Sequence, residues 1–377
     1  MAYTGGTGYA AGQSFDVQNF VRDDIAPKIV DTVLRSNVFL QILLSEKKSR
    51  FIGKNKVVNI KYRKQGNGGS FSGLDTFATN FIDTTLQLVF TPSFYEQPMV
   101  FAGTDLSIAK SPEAVTDYYI TRGQEVAQEM ADGIGTMLYG DGTGNSGKDF
   151  LGLKAIVDDG TIVATYGGLN RGTYTEAAFA GGLDPSRTGF GVGSLIGGNV
   201  KSSVGTLTLD ILDSGYRAAW SGNFKPTLIV TTKDVYRILE KLFQPVTNMQ
   251  MVKYENDKLT STKSVVPLMA QQGYASLYYK GMPVLVDEKC PTGYLFMLNM
   301  DTLEFPVLDM WNTDPLTVAT SNIDGQYAEN MEKAIGFSIG KLVTPVNQYG
   351  MIQHLYFGGQ FYCTNPKFNT TLSGITG

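Results

Sequence analysis

Apolar residues recur along the chain with two different periods, and the places where the period changes divide the sequence. Val58, Ile60 and Tyr62 alternate with Asn59 and Lys61, and Leu86, Leu88 and Phe90 repeat the alternation in "TTLQLVF". Alternation of this kind marks half-buried strands. The glycine-rich "GNGGSFSG" lies between the runs, so the segment predicts a long two-stranded hairpin with a flexible tip. A ribbon of two strands is marginal by itself in water and needs its own domain or another molecule to lie on.

The strongest helical period follows, in "SPEAVTDYYITRGQEVAQEMADGIGTMLYG". Val115, Tyr119, Val126, Met130, Ile134 and Met137 share one face, and Ser111, Pro112 and Glu113 suit a helix start. The pattern predicts about 28 residues, or roughly 42 Å, of helix. Gly123, Gly133 and Gly135 inside it point to close backbone approach rather than intrinsic propensity. A shorter helix is expected in "DDIAPKIVDTVLRSN", where Ile25, Ile29, Val33 and Leu34 share a face, after a small, polar, glycine-rich arm over residues 1–15.

Beyond the glycine- and threonine-rich stretch 158–205 the pattern becomes α/β. "LTLDILDSGYRAAW" and "TTKDVYRILEKLF" read as helices, the second with a possible capping box from Thr231 and Asp234. "PTLIVT" reads as a buried strand, and "GMPVLVDEKCPTGYLFMLNM" as strand, turn, strand. "AIGFSIGKLV" and "GMIQHLYF" are strands, and "CTNPKFNTTLSGITG" a polar tail.

Composition narrows the function classes. The 43 glycines and 41 Tyr plus Phe favour turns and aromatic-packed strands over a helical bundle. A net charge of −4 argues against binding nucleic acid through overall basicity. Two cysteines, Cys290 and Cys363, make no disulfide framework and fit synthesis in a reducing compartment. No run approaches the ~18 apolar residues of a membrane span, and no signal peptide is visible. Charge is nevertheless uneven. Lys47, Lys48, Arg50, Lys54, Lys56, Lys61, Arg63 and Lys64 place eight bases and no acid between residues 47 and 64. That stretch can be a solvated strand surface, a nucleic-acid contact, or a surface that meets acids on a neighbouring copy. Only Phe51 and Tyr62 are interleaved aromatics, a poor stacking signal for nucleic acid. The third reading is favoured, because a projecting ribbon needs such a neighbour.

"YGDGTGNSGKDFLGL" invites a nucleotide reading. Gly142, Gly147 and Lys148 fit GxxxxGK, and Gly142, Gly144 and Gly147 fit GxGxxG. Phosphate loops open a helix, whose amino end attracts anions. This loop follows the long helix, at its repelling end, and runs into "FLGLKAIV", read as a short strand. Asp149 stands where a magnesium-binding Ser or Thr belongs, and Ser146 and Gly152 break a calcium-loop pattern begun at Asp141. The preferred reading is a turn built by Gly140, Gly142, Gly144 and Gly147, with no cofactor and no enzyme activity. His354 is the one histidine and reads as a partly buried strand residue on the face of Ile352 and Tyr356. Asp158–Asp159 and Asp309/Asp314 read as surface turn residues rather than catalytic pairs, and no His/Cys metal set is available.

The order of these pieces, with "YGDGTGNSGKDFLGL", "YGGLNRGTYT", "PTLIVTTKDVYRIL", "GMPVLVDEKCPTGYLFMLN" and "GGQFYCTNPKFNTTLSGI", resembles a tailed-bacteriophage major capsid protein of the HK97-like fold. The resemblance implies an α+β chain divided into an arm and short helix (1–45), an extended loop (46–100), a peripheral domain with a spine helix (101–205), an inserted axial domain (206–320) and a return to the peripheral domain (321–377). It implies hexamers and pentamers closing an icosahedral shell around double-stranded DNA, with the extended loop lying across a neighbouring subunit. Scaffolding, portal and decoration proteins would be partners. The expected location is the virion, after assembly in the host cytoplasm, with no membrane. Some relatives carry a long amino-terminal scaffolding segment; its lack here leads to the expectation of a separate scaffolding protein, or none. An encapsulin-type compartment enclosing cargo protein is the alternative within the fold. A nucleotide enzyme using residues 142–148 is the alternative outside it.

Overall fold

The computed structural model describes residues 37–63, 66, 68–77, 79–108, 112–179, 187–191, 193–243, 277–308, 314–315 and 337–376. The expected helix in "DDIAPKIVDTVLRSN", the Ser111 cap and Asp309 lie outside them. The described chain forms two compact units. Residues 95–132 and 308–358 belong to the first, and residues 37–94, 133–307 and 359–376 to the second.

In the first unit, strand β15 (Phe337–Ile339) pairs antiparallel with β16 (Gly350–Gly359), which also pairs with β4 (Ser93–Ala102); the two-residue strand β14 (Asp314–Pro315) lies beside β15. Burial alternates along β4, with Met99 and Phe101 inside and Glu96, Pro98 and Val100 outside. The ring of Phe101 meets Tyr119 at 4.1 Å and joins the strand to the long helix. A short helix, α2 (Gly103–Ile108), follows β4. At its start a Cβ on Gly103 would lie 2.6 Å from the Tyr349 ring, so that approach requires glycine.

The long helix α3 runs Pro112–Leu138, 27 residues, close to the predicted span. Tyr119, Val126, Met130, Ile134 and Met137 are buried, as their spacing requires, and Val115 is half-buried. Gly135 shows why the helix carries glycine. A Cβ there would sit 2.3 Å from Asn37 Oδ1 and 2.8 Å from Lys289 Cγ, all within the second unit.

The second unit is built on a six-stranded sheet ordered β10 (Tyr278–Tyr279), β11 (Met282–Val286), β9 (Leu228–Thr231), β12 (Leu295–Leu298), β18 (Thr370–Leu372) and β7 (Asn199–Lys201). β9 and β11 are parallel, β12 is antiparallel to β9 and β18, and β18 and β7 are parallel. Every residue of β9, β12 and β18 is buried, which explains their continuous apolar or small-residue runs. Helices α5 (Leu209–Ala219) and α6 (Lys233–Phe243) supply Leu212, Tyr216, Val235 and Leu239 to a core shared with Met282, Val284, Leu295 and Met297. The "polar tail" is thus an inner strand. Thr370 Oγ1 donates to Gly215 O and Thr371 Oγ1 to Val157 O, so its hydroxyls are satisfied inside. The expected capping box is replaced by a single N-cap contact one residue on. Thr231 is a buried strand residue donating to Tyr294 O, and Val235 N–H reaches Thr232 Oγ1 instead.

A helix the pattern did not single out, α1 (Val38–Glu46), has Phe39, Leu40, Ile42, Leu43 and Leu44 buried over more than half of its circumference, with Ser45 exposed. Such a run lacks the one-sided period of a surface helix. After it β1 (Lys48–Arg50) pairs in parallel with β13 (Leu303–Val307), whose other end pairs with β17 (Tyr362–Cys363). The hairpin strands β2 (Lys56–Lys61) and β3 (Thr85–Phe90) pair antiparallel from Lys56↔Phe90 to Lys61↔Thr85. Small strand pairs β5 (Thr165–Tyr166) with β6 (Leu169–Asn170), and β8 (Gly205–Thr206) with β19 (Ile375–Thr376), complete the unit.

Candidate functional site

The glycine loop folds back on the helix it leaves. Gly140 N–H donates to Met137 O, and a Cβ on Gly152 would lie 2.3 Å from that same carbonyl oxygen. Gly142 and Gly147 have φ of +78°, and Asn145 and Ser146 between them have φ of 48° and 60°. Asp141 accepts from the Thr143 backbone N–H and hydroxyl, and these hydrogen bonds lower its pKa. The Asp149 carboxylate lies where a Cβ on Gly144 would point, and Lys148 is exposed. A carboxylate inside the loop and a helix carboxyl end before it both oppose a bound phosphate. The following segment is not a strand. Leu153–Ile156 is one helical turn, α4, with Leu153, Ala155 and Ile156 buried.

That turn is held by the fully buried Arg171 of "YGGLNRGTYT". Its Nη2 donates to Ala155 O at 2.7 Å and Ile156 O at 3.2 Å. Its Nη1 donates to Val163 O at 3.0 Å and to Asp158 Oδ2 at 3.3 Å, while Nε reaches Ile196 O. Desolvation pulls the Arg171 pKa down and the Asp158 charge opposes that pull. Asp158 and Asp159 are therefore not surface residues. They are 0% and 3% exposed, and they accept from the backbone of Gly160, Thr161, Ile162 and Val163. Both carboxylates and the guanidinium are consumed by internal bonds, which makes this a structural knot without chemistry to offer.

The histidine and both cysteines make none of the hydrogen bonds of that knot. His354 is 40% exposed in side chain, with Nδ1 2.5 Å from Glu96 Oε1 and its ring stacked on Tyr356. Burial raises the thiol of Cys363 to about 11 and raises that of Cys290 further, so neither is a ready nucleophile. Among the described residues no three His, Cys, Asp or Glu side chains could hold a metal ion, and no helix is long and apolar enough to cross a membrane.

The distinctive exposed feature is the hairpin. Its inward face has Val58 and Ile60 half-buried and Leu88 and Phe90 buried; Phe90 stacks on Tyr362 at 4.7 Å. Tyr62 meets Tyr174 and Phe179 edge-on. The base of the ribbon therefore has a core within its own unit. Beyond it, Phe71, Leu74, Phe77 and Phe81 are 69%, 102%, 67% and 89% exposed. Sequence reading missed this apolar tip, although four large apolar residues spaced among Gly, Ser, Thr and Asp were visible.

The eight bases separate into groups. Lys47 pairs with Asp301 at 3.4 Å, and Arg63 donates to Asp83 O and lies over the Tyr62 ring. Lys56 is half-buried, while Arg50, Lys54 and Lys61 are exposed. The side chain of Lys48 and all of Lys64 lie outside the described residues.

No protein-family model matches the sequence, and no curated protein matches it. Solved structures do. The chain is similar to the cyanophage A-1(L) capsid asymmetric unit, at 15% identity over 91% of this chain and 93% of that one, with a TM-score of 0.58. Lesser likenesses are to the holo-SrpI encapsulin complex from Synechococcus elongatus PCC 7942 (9% identity, 90% and 87% of the chains, TM-score 0.49) and to the capsid of an empty GTA particle (9%, 90% and 96%, 0.48). A mixed α+β chain with a two-stranded hairpin, a long helix closed by a glycine turn and a six-stranded sheet covered by helices, similar to a capsid subunit over nearly its whole length, has the HK97-like capsid fold.

Proposed function

We propose that this chain is the major shell subunit of a tailed phage, self-assembling as hexamers and pentamers around double-stranded DNA. The observation that carries the reading is the exposed apolar tip at Phe71, Leu74, Phe77 and Phe81, on a chain whose fold is that of a capsid subunit. Such a cluster in water favours a partner surface, and a shell supplies one at high local concentration. The buried charges are spent internally, which accords with work done through interfaces rather than catalysis. Scaffolding and portal proteins would set shell size and the packaging vertex. In this reading residues 46–100 form the extended loop, 101–205 with 321–377 the peripheral part and 206–320 the axial part.

Electron microscopy of the purified or co-expressed chain tests the proposal. Closed particles of uniform size are expected, with nuclease-protected DNA in particles from infected cells. Protein cargo in place of DNA would convert the reading to an encapsulin-type compartment. Unassembled monomers alone, with any scaffolding partner supplied, would overturn it.

A further inference from the structure

The turn between β10 and β11 carries a lysine where its backbone disfavours one. Tyr279 pairs with Met282, so the turn consists of Lys280 and Gly281, with φ of 50° and 81°. Two positive angles make the type I′ geometry, which favours Asn-Gly. Glycine enters this left-handed region freely, and a lysine does so at a cost.

The side chain of Lys280 accounts for its presence there. Its Nζ pairs with the carboxylate of Asp213. The same ammonium lies 4.7 Å from the centroid of the Tyr216 ring and 5.6 Å from that of Tyr279. Asp213 and Tyr216 are three residues apart on α5 and so share a face. Each ring is backed by another: Tyr216 meets Trp220 at 5.9 Å, and Tyr279 stacks on Phe243 at 5.6 Å. Burial, with Asp213 beside it, pushes the Tyr279 hydroxyl up to about 12, so its ring stays uncharged. Arg217 takes the second oxygen of Asp213 at 3.1 Å. Two ring faces and a carboxylate around one ammonium are the elements by which proteins recognise alkylammonium ligands. The site is open to solvent, since the side chains of Lys280 and Asp213 are 40% and 34% exposed.

We propose that Asp213, Tyr216 and Tyr279 form a binding site for the ammonium group of a small aliphatic amine, and that Lys280 closes this site as a built-in plug. The ligand class follows from the occupant, because the cage already holds a primary ammonium on an alkyl stem. The site belongs to the single subunit and does not depend on the shell reading. Lys280 is tethered to the cage, so a free amine competes against a high effective concentration of plug and binds the parent chain weakly.

Lys280→Gly tests the proposal in the full chain, because glycine suits the positive φ and empties the cage. The probe is n-butylammonium chloride, the missing side chain in free form, with sodium chloride at equal concentration as control. The chain has two tryptophans, and Trp311→Phe leaves Trp220, against Tyr216, as the fluorescent reporter. Lys280→Gly is expected to show a saturable fluorescence change, at amine concentrations about tenfold lower than the parent requires. Tyr279→Leu or Asp213→Asn, added to Lys280→Gly, should weaken that binding about tenfold. Absence of a saturable change in Lys280→Gly overturns the site, as does an equal change with sodium chloride or after Tyr279→Leu. Equal binding by the parent and Lys280→Gly overturns the plug. If Lys280→Gly melts lower than the parent, Lys280→Asn, the residue this turn type favours, takes its place under the same expectations.

Discussion

The hairpin and the six-stranded sheet are both β-structure, yet they divide their residues in opposite ways. In the sheet β9 and β12 bury all their residues, and helices cover what the strands expose. In the hairpin β2 alternates between half-buried and exposed, and the chain beyond its strands carries four exposed large apolar residues. The sheet is satisfied by its own unit. The hairpin is satisfied only at its base, where Phe90 and Tyr62 find aromatic partners. Burial is therefore concentrated in one region and exposed apolar surface in the other, and the proposed shell contacts would draw on the second.

The comparison breaks most severely if the self-satisfied region is robbed of its buried charge. Arg171→Met should destabilise the unassembled chain by about 3–5 kcal/mol, since it removes the counter-charge of the buried Asp158 and the side-chain donor to four carbonyls. Denaturant unfolding of the unassembled protein measures this, and a loss below about 1 kcal/mol would refute the role of the knot.

Gly135→Ala should cost about 1–3 kcal/mol in the same assay, because its Cβ would collide with Asn37 Oδ1. The hairpin tip should behave in reverse. Phe71→Ser with Phe77→Ser should reduce assembled particles about tenfold while changing subunit stability by less than about 0.5 kcal/mol. Sedimentation and unfolding read the two effects separately, and an equal effect on both would end the distinction.

A pH series sharpens the picture of the second unit. Asp287 accepts from Lys289 N–H, and burial raises its carboxyl above the ordinary value of 3.8. A pKa raised in the folded state means that the folded chain holds the proton more tightly. The stabilisation it contributes is complete below the ordinary value and is lost as pH rises through the raised one. Asp287→Asn should flatten that part of the stability profile, as urea midpoints across the acid range would show. The smallest effect is expected at the glycine loop. Lys148→Ala should leave stability within about 0.5 kcal/mol, and calorimetry with ATP should register no binding before or after the change.

Much of this was legible from local pattern. The long helix declares itself through Tyr119, Val126 and Met130, the hairpin through Val58, Ile60, Leu86 and Leu88, and the α/β insertion through caps and buried runs. The glycine loop could be separated from a phosphate loop because a helix dipole has a direction. The failures share a cause. α1 shows only a weak period because its apolar residues cover more than half of its circumference, and Leu153–Ile156 is too short to show any period. The strand Thr370–Leu372 reads as a polar tail because its threonines look exposed until Gly215 O and Val157 O accept their hydroxyls. Asp158 and Asp159 look like surface turn residues until Arg171, thirteen positions after Asp158, is buried against them.

The sequence by itself determined the periods: which stretches are helix or strand, where a helix ends, and that one stretch is basic without acids. Those are properties of neighbours within a few residues, where backbone geometry and charge act directly. Only the tertiary structure decided which polar groups are spent inside and which are left exposed. Lys47 and Arg63 are used within the chain while Lys54 and Lys61 are exposed, although all four sit in the same basic run. Burial is set by residues distant in sequence, and no local pattern records them.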